Sequence, residues 1–139
     1  MVRFSMAQLT RKFYRYTIKI MRLMLENLPP SLRADADVIR QCLEAFDRVM
    51  PLRTVYLFGS HARGEAREDS DVDLCIVSED AAEQFAAAER LRHAIWEVWP
   101  RPSFTLIPIS PLRLTEKKAR HDPFFQTILN EGIQLVAKN

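Results

Sequence analysis

Apolar residues recur along this chain with two different periods, and the switches between them mark out the elements. From Thr10 to Leu28, residues Phe13, Thr17, Ile20, Met24 and Leu28 stand three or four apart, the spacing of one helix face, until Pro29-Pro30 ends the run. Asp35 offers an N-cap for a second helix over Ala36 to Met50. Its stripe is Val38, Ile39, Cys42, Phe46 and Val49, closed by Pro51. The pair predicts an N-terminal helical hairpin.

Thr54-Val55-Tyr56-Leu57-Phe58 is β-branched and aromatic, too short for a helix, and stops at Gly59, so it predicts a strand. Asp71 to Val77 predicts the next strand, after a polar loop from His61 to Ser70 whose first turn is open to helix. Ala81 to Trp99 returns to helical spacing with Phe85, Ala88, Leu91, Ile95 and Trp99, and Pro100 and Pro102 close it. Ser103 to Ile109 is a third β-prone run, and Pro108 within it points to a sheet edge or a strand end. Ser110-Pro111 and Asp122-Pro123 each set a capping side chain before a proline at the first helical position. Gly132 ends the second of these helices, and Ile133 to Val136 predicts a short last strand. The order implies an α+β fold, an α/β sandwich of short strands flanked by helices. We expect residues 1–51 to form a helical extension packed on a core domain at 52–139, the whole one compact unit.

Composition narrows this picture only slightly. A chain of 139 residues with 47% apolar content suits a single domain. A net charge of +2 leaves nucleic acid allowed but not favoured. The distribution says more: between Met1 and Met24 the charges are Arg3, Arg11, Lys12, Arg15, Lys19 and Arg22, with no acid. That stretch reads as a solvated face, with docking to an acidic partner or RNA as the alternative. Cys42 and Cys75 fall inside apolar stretches, as small buried hydrophobes do. No run approaches the roughly 20 apolar residues that span a bilayer, and the start lacks signal-peptide features, so the expected location is cytoplasmic.

The chemistry concentrates between Phe58 and Leu74. Gly59 permits a sharp turn at the end of a strand, and Ser60 adds a hydroxyl beside backbone amides that open a helical turn, an arrangement that attracts phosphate oxygens. Side chains alternate along the next strand, so Asp71, Asp73, Cys75 and Val77 share one face and Val72, Leu74 and Ile76 the other. The two carboxylates then stand roughly 6–7 Å apart. Like charges so close favour an intervening cation, and Mg²⁺ matches a site of two carboxylates completed by water and phosphate. Arg63 can neutralise phosphate charge with its planar fork, and Ser70 can cap or orient the loop. His61 could touch a nucleotide, though an exposed histidine without a role is at least as good a reading. The glycines leave none for a Rossmann fingerprint, no Gly-Lys-Ser/Thr occurs, and no zinc-ligand spacing exists.

Gly59-Ser60, ten residues, then Asp71-Val72-Asp73, with Ala62-Arg63-Gly64 and Ser70 between and Asn130-Glu131-Gly132-Ile133 near the end, resembles the signature of the DNA polymerase β-type nucleotidyltransferase superfamily. The likeness is to its minimal nucleotidyltransferase group and spans about residues 52–137. It implies a nucleotidyltransferase fold with a short mixed sheet. It implies Gly59 and Ser60 on a triphosphate, Asp71 and Asp73 on Mg²⁺, and Arg63 near the nucleotide, with Ser70 in the connecting loop. The implied reaction, of the EC 2.7.7 type, transfers a nucleoside monophosphate, AMP from ATP, to a hydroxyl. Group members pair with a helical HEPN toxin, which they adenylylate or mask as antitoxins. Active members carry a third carboxylate on a later strand, where this chain has Thr105, so a nucleotide-binding antitoxin of weak or no catalysis is the alternative. Glu97 is the nearest acid in sequence that could substitute. Modification of a small molecule, as by aminoglycoside nucleotidyltransferases, is a third reading, disfavoured by the missing substrate domain.

Overall fold

The computed structural model describes residues 21–138. Its elements in chain order are β1 (Met21–Leu23), two 3₁₀ segments (Leu25–Asn27 and Pro30–Asp35), α1 (Ala36–Val49), β2 (Thr54–Phe58), α2 (Gly59–Arg63), β3 (Val72–Val77), α3 (Gln84–Ala94), β4 (Phe104–Ile109), α4 (Pro111–Ala119), α5 (Pro123–Glu131) and β5 (Ile133–Lys138). The strands form one mixed sheet in the order β1-β5-β2-β3-β4. Only β3 and β4 run parallel, and α3 supplies the crossover that a parallel pair requires.

The first expected helix does not continue through Met21 to Leu28. Met21–Leu23 is a strand paired with Val136–Lys138 of β5, and Leu25–Asn27 is a single 3₁₀ turn. Backbone pairing with the last strand outweighs the helical spacing of Met24 and Leu28, and Leu28 still reaches the core by way of the turn. The part of the expected helix from Thr10 to residue 20 lies outside the described residues, as does most of the basic stretch.

Each face of the sheet has its own core. On one, α1 and α3 bury Ile39, Leu43, Phe46, Leu91 and Ile95 against Val72, Leu74 and Ile76 of β3. On the other, Phe58, Cys75, Val77, Ile109, Leu114, Phe125 and Ile128 form a smaller cluster under α4 and α5. The alternation expected of β3 is thus the one observed. The helix expected over Ala81 to Trp99 is shorter, and its two end positions are not core: Phe85 is 80% and Trp99 79% exposed. Cys42 and Cys75 are buried free thiols. Desolvation pushes the first up to about 11 and the second up to about 12. Ser110 and Asp122 cap α4 and α5 as their positions before proline predict, accepting from the backbone N–H groups of Arg113 and Phe125.

β4 is an edge strand. Ser103 accepts from Val72 N and Ile109 from Ser78 N, so residues of that parity turn their backbone toward β3. Pro108 has the opposite parity: its missing N–H would have faced outward, and Gln84 Nε2 covers its carbonyl at 2.9 Å. Among the described residues no helix is long and apolar enough to cross a membrane.

Candidate functional site

The site assembles at the end of β2 and the start of β3. Gly59 has φ +76°, a left-handed conformation that costs glycine little, and it turns the chain from β2 directly into α2. The turn is pressed onto β3: a Cβ at Gly59 would stand 2.0 Å from Asp73 Oδ2. Phe58 pairs with Asp73 across the antiparallel ladder, so the acid emerges on the face of the smaller core, beside the turn. Gly64, φ +73°, ends α2 in the left-handed cap position.

Thr105 is the register partner of Asp73 on β4, and its hydroxyl donates to Asp71 Oδ2 at 3.4 Å. Asp71 is exposed and Asp73 partly buried. Burial pushes the Asp73 carboxyl above the usual aspartate range and the Asp71 charge adds to this, while the Thr105 hydroxyl, His61 and Arg63 pull the other way. A carboxylate held in its charged form against that tendency favours a neighbouring cation. Two acids on one strand edge, in a cradle too tight for a side chain at Gly59, fit Mg²⁺. Among the described residues no third His, Cys, Asp or Glu joins them. Glu97 is exposed beyond the end of α3, in the helical layer on the opposite face of the sheet.

Arg63 is tied back at two points, with Nε to Glu65 Oε2 at 3.0 Å and Nη1 to Glu131 Oε1 at 3.2 Å. The same Glu131 oxygen accepts the Gly59 N–H at 3.2 Å. Ser70 sits at the loop end, where its hydroxyl accepts from Arg67 N at 2.8 Å. His61 departs from its expected exposure. It is buried, with Nδ1 2.8 Å from Ser31 Oγ and Nε2 3.3 Å from the Ser70 carbonyl. A carbonyl only accepts, so Nε2 carries the hydrogen, and the ring pins the loop between Gly59 and Asp71. Glu131 and His61 are the residues whose part sequence reasoning missed. Their partners lie 72 and 30 positions away.

A strand, a glycine-serine turn into helix, and two aspartates at the start of the next strand are thus brought together. The family profile described as Nucleotidyltransferase domain matches residues 39–129, and the chain belongs to that family. It is similar to the Haemophilus influenzae protein designated "Probable protein adenylyltransferase MntA", with 42% identity over 50 residues, 36% of this chain. The match spans 43% of that relative's length. Among solved structures, a Sulfolobus solfataricus protein assigned as a nucleotidyltransferase shares 24% identity at TM-score 0.41, over 60% of this chain and 70% of its own. A toxin-antitoxin with AMP-PNP shares 20% at TM-score 0.40, over 70% and 69%.

Proposed function

We propose that the chain binds Mg²⁺·ATP and transfers AMP to a hydroxyl of a protein partner, as the antitoxin of a pair with a HEPN-type toxin. The observation that carries this reading is the seating of Asp73 against Gly59, which sets an acid beside the glycine-serine turn. The similarity to a protein adenylyltransferase supports the donor and the class of acceptor.

Asp71 and Asp73 would hold the metal, which supplies charge neutralisation at the phosphates when bound. The Gly59-Ser60 turn orients the triphosphate, and Arg63 offsets its charge. Ser70 fixes the loop that joins this turn to the acids. The acceptor oxygen then bonds to the α-phosphorus as the bond to pyrophosphate breaks, and the acceptor proton leaves to solvent. Thr105 neither adds negative charge nor takes up that proton. General-base assistance is worth about 10²–10⁴-fold, so turnover is slow. The same residue favours a second reading, a module that binds nucleotide and masks its partner without transfer.

Incubation with α-labelled ATP, Mg²⁺ and host extract tests the first reading. We expect a labelled protein band that disappears with Asp71→Asn plus Asp73→Asn. Label that persists in the double variant rejects the assigned site, and nucleotide binding without any label selects the masking module.

A further inference from the structure

Glu131 closes α5 where the chain packs closely on its neighbours. The next residue, Gly132, lies so close to α5 and β2 that a Cβ there would meet the Ile128 carbonyl oxygen at 2.3 Å and Tyr56 Cβ at 3.3 Å. From this position one oxygen, Oε1, accepts from Gly59 N and from Arg63 Nη1, both at 3.2 Å. Those are the first and last residues of α2. The carboxylate therefore clasps the whole turn from one end to the other.

Stability does not explain the arrangement. Arg63 is 43% and Glu131 22% exposed, and ion pairs this open to solvent contribute little to folding. What the clasp does determine is orientation. With Nε on Glu65 and Nη1 on Glu131, the guanidinium keeps Nη2 as the nitrogen with no protein acceptor among the described residues. The left-handed Gly59, which an untethered turn would leave free to relax, keeps its N–H on an acceptor.

We propose that Glu131 is a positioning residue for nucleotide binding: its single oxygen sets both the Gly59 backbone and the Arg63 fork against the acid pair. The inference rests on the site being a nucleoside triphosphate site. It separates from a merely structural role by the chemistry of replacement. Glutamine keeps an acceptor oxygen at the same reach, aspartate keeps the charge but withdraws the oxygen by one methylene, and alanine removes both.

The test is calorimetric titration of Mg²⁺·ATP into the full chain, with thermal unfolding in parallel. Glu131→Ala and Glu131→Asp should each weaken binding by about tenfold, the scale of one hydrogen bond to a charged group. Glu131→Gln should recover to within about threefold of the native chain. In an Arg63→Ala background the Glu131→Ala loss should shrink, because part of its effect passes through that side chain. If the alanine variant does not fold, the aspartate and glutamine variants carry the comparison. Native affinity in Glu131→Asp, or a glutamine variant as weak as the aspartate one, overturns the inference. A native chain that takes no Mg²⁺·ATP overturns the reading of the site, and this inference with it.

Discussion

The two faces of the sheet are built from the same strands and do different work. Beneath α1 and α3 the packing is closed and apolar, with Phe46, Leu43, Leu74 and Ile76 fully buried. On the other face the cluster is smaller, and at the start of β3 it gives way to Asp71, Asp73 and Thr105. β3 serves both through its two-residue period: Val72, Leu74 and Ile76 hold the fold while Asp73, one position out of phase, faces the turn. A polar site is tolerated because the opposite face holds the strand in place.

The largest effect expected on this contrast comes from completing the acid set. Thr105→Asp, on the site face, should raise the rate of AMP transfer by about 10²–10⁴-fold, the usual gain from a placed base. Label incorporation measures it, and an unchanged rate would mean that position 105 does not stand in for the missing acid. Leu74→Ala next door, on the closed face, should do the opposite kind of damage. We expect about 2–5 kcal/mol of lost stability in chemical denaturation. Asp73→Asn should hold or raise the melting temperature, since it removes a partly desolvated charge. If Leu74→Ala and Asp73→Asn were equally destabilising, the division between the faces would fail.

Gly59→Ala probes the boundary between them. Forcing a side chain into φ +76° costs about 1–2 kcal/mol, and the new Cβ displaces the Asp73 carboxylate. Nucleotide affinity should fall further than stability does.

The smallest effect compares the two thiols, one in each core. Both are raised above the ordinary thiol value of 9.0, Cys42 to about 11 and Cys75 to about 12, because burial disfavours the thiolate. The unfolded chain ionises first, so stability is full below pH 9 and declines as pH rises from there toward 11 and 12. Iodoacetamide should leave both thiols of the native chain unmodified at pH 8. Rapid labelling of Cys75 alone would show that the site face is open to water.

Much of this was legible in the sequence, because the informative residues lie close together in it. Gly59-Ser60 and Asp71-Val72-Asp73 are joined by one short loop, and strand alternation alone separates the acids from Leu74 and Ile76. The family resemblance marks Thr105, and the parallel pairing of β4 sets it opposite Asp73. What escaped was set by distant partners. Met21–Leu23 is a strand because β5 pairs with it more than a hundred residues later. His61 reads as a loop residue until Ser31 meets it, and Glu131 shows no local sign that it reaches Gly59. Phe85 and Trp99 fit a helical stripe, but Trp99 lies beyond the end of α3 at Ala94, and Phe85, in its first turn, faces solvent.

The most direct measurement is a calorimetric titration of ATP, with and without Mg²⁺, into the native chain and into Asp73→Asn. The account predicts Mg²⁺-dependent binding to the native chain that is lost in the variant while its melting temperature is kept. Equal affinity in the two proteins, or none in either, would contradict it.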